Sequence, residues 1–160
     1  MQRSRTFTWS DPMEGATQAR NMPGQAYLDA MSAGTIDFPP LLHTLDFKVE
    51  GVREGQAVFS FQPQEFHYNP IGTVHGGVIT AMLDSAMGCA LHSTLEAGAG
   101  YTTLEIKVNF LKAITIKTGI LKATGRIIHA GKRTALTEAT LADETGTVYA
   151  HGTSTCMILR

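Results

Sequence analysis

Residues 69–92 read Asn-Pro-Ile-Gly-Thr-Val-His-Gly-Gly-Val-Ile-Thr-Ala-Met-Leu-Asp-Ser-Ala-Met-Gly-Cys-Ala-Leu-His. The stretch begins as a turn, passes a His-Gly-Gly step and continues as an apolar helix. From Gly76 to His92 there is no proline, and Ala, Met and Leu dominate, which predicts an unbroken helix. Apolar residues fall on nearly every face, the pattern of a buried helix rather than a surface one. The segment is short for a bilayer span and carries Asp84 at its centre, so a membrane helix is not expected. A buried helix has to be wrapped by something, and most of the remaining sequence is β-like.

The exceptions to the apolar surface form a stripe. Thr80, Asp84 and Gly88 follow one another at i, i+4, with Ser85 beside them. Asp84 is the only charged residue between His75 and Glu96. A buried carboxylate needs donors, water or a raised pKa. Two readings fit. Asp84 caps something or pairs with a remote Lys or Arg, or it is a base in a cleft; ion pairs and catalytic sites both perturb carboxylates.

Composition bounds the rest. The 160 residues suit one domain with a real core. A net charge of −1 gives no electrostatic reason to expect nucleic acid or an anionic membrane as partner. Cys89 and Cys156 lie in apolar surroundings and read as small core residues in a reducing compartment. The first residues carry Arg3 and Arg5 without an apolar run, and Asp11 and Glu14 follow soon after. No secretory signal is expected, and the expected location is cytoplasmic.

In chain order, residues 1–22 read as a partly ordered arm and 23–160 as a single domain. A short helix is expected over Gln25–Ala33, opened by Pro23 and closed by Gly34. Leu41–Glu50 reads as a first strand, with Leu41–Thr44 equally able to form one helical turn. Gly51–Gly55 reads as a hairpin loop. Gln56–Gln62 alternates, with Ala57, Phe59 and Phe61 on one face. After the helix, Tyr101–Leu111 alternates with Leu104, Ile106, Val108 and Phe110 on one face. Gly119–His129 and Lys132–Ala142 flank a turn at Ala130-Gly131. Thr147–Leu159 is the last strand. The long strands after the helix suggest a meander. The sum is an α+β fold: one long helix wrapped by a twisted antiparallel sheet of five to six strands.

Chemistry centres on the quoted stretch. Gly76 and Gly77 at a helix start allow close backbone approach and leave amide N–H groups that suit a developing negative charge. Glycine used only for the turn explains the same residues. Gly77 and Asp84 lie on nearly the same face of the helix but roughly 10 Å apart along its axis. One carbonyl cannot contact both. If both act on one substrate, the site is shared between two chains related by a two-fold axis. No HExxH, Cys/His cluster, G-x-S-x-G elbow or phosphate-binding glycine loop occurs, so no metal, no cofactor and no serine nucleophile is expected. Lys132 and Arg133 follow Gly131 and are read either as solvated turn charges or as partners of an anionic ligand. Met82, Met87, Phe61 and Tyr68 are read equally as acyl-pocket or core residues.

The motif Asn69-Pro70-x-Gly72-x-x-His75-Gly76-Gly77, followed by Asp84 within Leu-Asp-Ser-Ala-Met-Gly, resembles the PaaI-like branch of the hotdog-fold acyl-CoA thioesterases. The resemblance extends through Gly100–Phe110, His129–Ala135 and Ala150–Cys156. It implies a hotdog fold, and dimers that commonly pair into tetramers. It also implies hydrolysis of an aromatic, aryl-acetyl or medium-chain acyl-CoA to free acid and CoA. By the same resemblance, Asn69 helps position the thioester or water, the Gly77 N–H polarises the carbonyl, and His75 supports that loop. Asp84 acts as base or nucleophile from the partner subunit. A Ser or Thr early in the next strand assists the water. Simple alternation places Thr102 on the face of Leu104 and Thr103 on the opposite one; both are candidates, and the family pattern favours Thr103. Lys132 and Arg133 match positions that often meet the CoA phosphates. Three further readings remain: a non-catalytic acyl-CoA-binding module, which has little use for a buried carboxylate; an acyl-thioester dehydratase or hydratase, which typically relies on a His base; and a structural oligomer with no ligand, which leaves Asp84 unexplained.

Overall fold

The computed structural model describes residues 1–160. Its long helix, α4, spans Gly76–His92. Ile79, Met82, Leu83, Ala86, Met87, Ala90 and Leu91 on it are buried. Met82, Leu83 and Met87 have no exposed surface, and each such side chain contributes about 1.5–3 kcal/mol of burial. Six antiparallel strands wrap this helix: β1 (Lys48–Arg53), β2 (Gln56–Phe61), β3 (Gly100–Phe110), β4 (Leu121–Ala130), β5 (Thr134–Asp143) and β6 (Val148–Leu159). Their order is β1-β2-β4-β5-β6-β3. No helix is long and apolar enough to cross a membrane.

The wrap is tight because the inner face of the central strands is built from small residues. Ala123, Ala139 and Ala150 lie there fully or almost fully buried. At Gly125, a Cβ would overlap the backbone carbonyl of Ala86, so only glycine lets β4 cross α4 this closely. Phe59 and Phe61 of β2 and Leu121 and Leu141 of β4 and β5 fill the wider space at the sides.

Three local expectations are corrected. Of the two readings of Leu41–Thr44 the helical turn is the one that forms: Pro40–Leu45 is a short helix, α3, with Pro40 in its first turn and Asp46 left-handed at its end (φ 54°), and the first strand starts only at Lys48. The hairpin turn is only Glu54-Gly55, because β1 continues through Arg53 after a bulge between Val49 and Gly51. The sheet is not a simple meander. Of the four strands after the helix, β4, β5 and β6 are sequential neighbours, whereas β3 pairs with β6 at the sheet edge. Residues 111–120, anchored by buried Ile114, then carry the chain across to β4 beside β2.

The N-terminal segment contains a helix the sequence reading did not place, α1 (Pro12–Asn21), capped by the Asp11 carboxylate accepting from Met13 N–H at 2.9 Å. None of its residues is buried. The next helix, α2 (Gly24–Ser32), matches expectation within a residue and packs Leu28 and Met31 inward.

Candidate active site

His75 caps the start of α4. Its Nδ1 accepts the Gly77 N–H at 2.8 Å, doing the work of a Ser or Asp cap. The amide expected to be open to a substrate oxygen is therefore engaged by imidazole in the free chain. An accepting Nδ1 carries no proton, so the ring is held with its hydrogen on Nε2. The preceding amide, that of Gly76, has no acceptor in the chain. Both glycines sit at the open end of the helix, where the dipole is positive.

Asn69 shapes the loop leading to this point. Its Oδ1 accepts from Ile71 N–H at 3.0 Å and Thr73 N–H at 3.1 Å, and its Nδ2 donates to Thr73 Oγ1 at 2.9 Å. One amide hydrogen is left over. Tyr68 bridges to Val74, and its hydroxyl accepts from Ile116 N–H at 2.9 Å. A cleft of about 310 Å³ opens here, lined by Asn69, Thr73, Gly76, Phe110, Lys112 and Ile114 among others. A larger hollow of about 490 Å³ lies between α1 and the Gly34–Pro39 segment, and it contains none of the candidate site residues.

Asp84 lies in the middle of α4, partly buried, facing β3. It makes no ion pair with any Lys, Arg or His. Its hydrogen-bond partner in the chain is Thr103, whose Oγ1 donates to Asp84 Oδ1 at 3.0 Å. Within one chain the ion-pair reading of Asp84 finds no cation. A bulge between Thr103 and Glu105 decides which threonine meets it. The extra residue, Leu104, turns outward and is 53% exposed. Thr103 thus shares the inner face with Ile106 and Val108, while Thr102 is exposed. Simple alternation had put Leu104 with Ile106; the bulge shifts the phase.

Beyond Asp84, Tyr101 lies against Gly88, where a Cβ would stand 2.9 Å from its ring Cζ. Burial raises the Tyr101 phenol well above its ordinary pKa, with the nearby Cys89 and Asp84 adding to the shift. Burial, then the Asp84 charge, pushes the Cys89 thiol up to about 12. Both therefore stay neutral, and neither is an activated nucleophile. Met82 belongs to the main core. No group of three His, Cys, Asp or Glu side chains is placed to hold a metal ion.

Lys132 and Arg133 sit exposed in the β4–β5 turn, joined to β6 by Ile158 N–H donating to Arg133 O at 2.8 Å. Ile158 pairs with Tyr101, so this turn lies at the start of β3. Gly76 lies at the other end of β3, where a Cβ would meet the Phe110 ring at 3.1 Å. Within one chain the expected groups are therefore spread out: Asn69, Gly76 and Gly77 at one end, Asp84 and Thr103 further along, Lys132 and Arg133 beyond.

Residues 71–150 match the model of the thioesterase superfamily. The chain belongs to that superfamily. It is a thioester hydrolase with the hotdog fold. It is 30% identical over 105 residues to 1,4-dihydroxy-2-naphthoyl-CoA hydrolase of Listeria monocytogenes, covering 66% of this chain and 84% of that protein. It is 28% identical to human acyl-coenzyme A thioesterase 13, over 63% of this chain and 71% of the other. Among solved structures, a phenylacetic acid degradation-related protein of Ralstonia eutropha JMP134 superposes with a TM-score of 0.73 at 28% identity. That match covers 81% of this chain and 97% of that one.

Proposed function

We propose that this thioesterase hydrolyses aromatic, aryl-acetyl or medium-chain acyl-CoA esters, using Asp84 of one subunit and the helix-start amides of another. The observation that carries the reading is the Asp84–Thr103 pair: a partly buried carboxylate without a cation, held by one hydroxyl. Such a carboxylate keeps its remaining lone pairs for a water. Relatives named for acyl-CoA and aroyl-CoA hydrolysis support the substrate class.

The shared site follows from the strand edge. β3 ends the sheet, so its outer N–H and C=O groups are unpaired along eleven residues. Antiparallel pairing with the same edge of a second copy brings the Phe110 end of one β3 beside the Tyr101 end of the other. The Gly76-Gly77 amides and Asn69 cleft of one chain then approach Asp84, Thr103, Lys132 and Arg133 of its neighbour. The separation within one chain becomes proximity between two. Two such dimers make the expected tetramer.

The chemistry is then direct. The thioester carbonyl replaces His75 Nδ1 as acceptor of the Gly77 N–H, with the Gly76 N–H beside it, and these stabilise the oxyanion. Asn69 uses its spare amide hydrogen on the substrate or water. Asp84, steadied by Thr103, takes a proton as water attacks the carbonyl carbon. The C–S bond breaks, and CoA leaves as thiolate and recovers that proton. Direct attack by Asp84 to form an anhydride is the alternative use of the same geometry. Lys132 and Arg133 bind the CoA phosphates, and the protein works in the cytoplasm. Thiol release from acetyl-, hexanoyl-, decanoyl-, benzoyl- and phenylacetyl-CoA tests the reading. Turnover is expected for at least one aromatic or medium-chain ester, and silence across the panel overturns it.

A further inference from the structure

The stripe on α4 does not stop at Asp84. Gly88 is one turn further on, and Tyr101 fills the space its missing side chain leaves. Tyr101 and Thr103 are two apart on the same strand and point to the same face, so Tyr101 is the next side chain beyond the Asp84–Thr103 pair. Its ring is backed by His92 at a centroid distance of 5.9 Å, and His92 in turn meets Tyr27 edge-on at 5.6 Å. Three elements, β3, α4 and α2, thus build one aromatic wall. α2 is fixed in place by Gly24 N–H donating to Leu95 O at 2.8 Å, where a Cβ on Gly24 would overlap the His92 carbonyl. The wall is therefore a packed, supported partition rather than a loose side chain. On the core side of the stripe, Leu83 and Met87 have no exposed surface, so no channel runs inward.

We infer that Tyr101, admitted by Gly88, is the end wall of the acyl site and restricts this thioesterase to compact acyl groups. The inference rests on the reading of Asp84 given above and narrows its substrate class. From Asp84 to Gly88 the helix rises only about 6 Å. That length accepts a single aromatic ring or a short alkyl group attached to a carbonyl at Asp84. A decanoyl chain running along the stripe meets the Tyr101 ring. Tyr101 is only partly buried, and an aromatic ring there favours a flat ring by offset or edge contact. Benzoyl and phenylacetyl groups are therefore preferred over decanoyl, within the panel named earlier.

The test compares kcat/KM for benzoyl-CoA and decanoyl-CoA in wild type, Tyr101→Phe and Tyr101→Ala. The wild type should favour benzoyl-CoA by about tenfold or more. Tyr101→Phe keeps the ring and should keep the ratio. Tyr101→Ala opens the partition and should shift the ratio toward decanoyl-CoA by about tenfold. A ratio, unlike overall activity, does not move when a variant is merely less stable. If Tyr101→Ala does not fold, Tyr101→Leu takes its place, and the wild-type preference alone still decides. Equal or better turnover of decanoyl-CoA by wild type overturns the inference, as does a folded Tyr101→Ala with an unchanged ratio. Absence of turnover for every CoA ester is a different result: it removes the acyl-CoA reading itself, and the wall with it.

Discussion

Thr103 Oγ1 donates to Asp84 Oδ1 at 3.0 Å, and it does so because the strand bulges one residue later, between Thr103 and Glu105. Without the bulge, the strand that presents Ile106 and Val108 to the helix would present Thr102 instead. A single irregularity in an edge strand thus selects the hydroxyl that holds the only carboxylate on α4.

The pair predicts a graded loss. Asp84→Asn keeps size and removes the base, so thiol release should fall by about 10²–10⁴-fold in a folded protein. Thr103→Val removes a hydrogen bond to the carboxylate and should cost about tenfold or more, while Thr103→Ser should retain most activity. Steady-state kinetics beside circular dichroism separate these effects from misfolding.

His75 holds the start of α4 through Gly77 N–H. His75→Ala should lower stability by about 1 kcal/mol, the usual cost of losing a side-chain cap, and His75→Asn should recover much of it. Urea denaturation midpoints at constant slope give the comparison. Equal midpoints for His75→Ala and wild type would show that the imidazole cap does not contribute.

Gly125 permits contact between β4 and the α4 backbone at Ala86. Gly125→Ala places a methyl group where two backbones meet, and neither can yield as a side chain would. The expected loss is about 2–3 kcal/mol. A variant as stable as wild type would mean that the sheet can open from the helix at little cost.

Stability should also depend on pH through His67. Its Nδ1 accepts from Gln64 N–H at 3.0 Å, and its Nε2 faces Leu45 O at 2.9 Å and must donate. A second proton on Nδ1 would face an N–H. Burial lowers the folded pKa below the ordinary histidine value of about 6.5, and burial does the same for His92. Below the unfolded pKa the unfolded chain binds more protons than the folded one. Each group therefore contributes stability that is complete above that pKa and is lost as pH falls toward the folded value. The slope is at most about 1.4 kcal/mol per pH unit per group. Thermal melts between pH 7.5 and 5.5 should show a falling Tm, flattened in His67→Gln relative to its own value at high pH.

Much of this was legible in the sequence, and the misses share a cause. Helix α4 stands out because its length, composition and lack of proline all agree, and the Phe59/Phe61 face of β2 because its alternation is clean. The stripe of Thr80, Asp84 and Gly88 stands out as the break in an otherwise apolar helix. What failed was phase and pairing. The bulge at Leu104 has no residue signature such as glycine, so alternation read straight through it. The position of β3 beside β6 is a long-range pairing that no local pattern encodes. The cap by His75 was hidden because histidine is an uncommon helix cap, and Pro40 sat ambiguously between a strand lead-in and a helix start. The contact of Tyr101 with Gly88 joins a strand to a helix turn, and alternation along the strand carries no sign of it beyond the glycine itself.

In the proposed site, Asp84 of one subunit works with the Gly77 amide of another. The direct measurement mixes two variants that are each inactive as folded oligomers: Asp84→Asn, which lacks the base, and Gly77→Pro, which lacks the amide donor but has a proline tolerated in a helix's first turn. Co-refolding equal amounts gives mixed dimers in about half of the population, each with one complete site and one doubly defective site. The account predicts recovery to about a quarter of wild-type thiol release, rising with the fraction of mixed dimers measured by native mass spectrometry. Mixed dimers that form yet show only the summed residual activity of the two parents would contradict it, and would return both groups to a single chain.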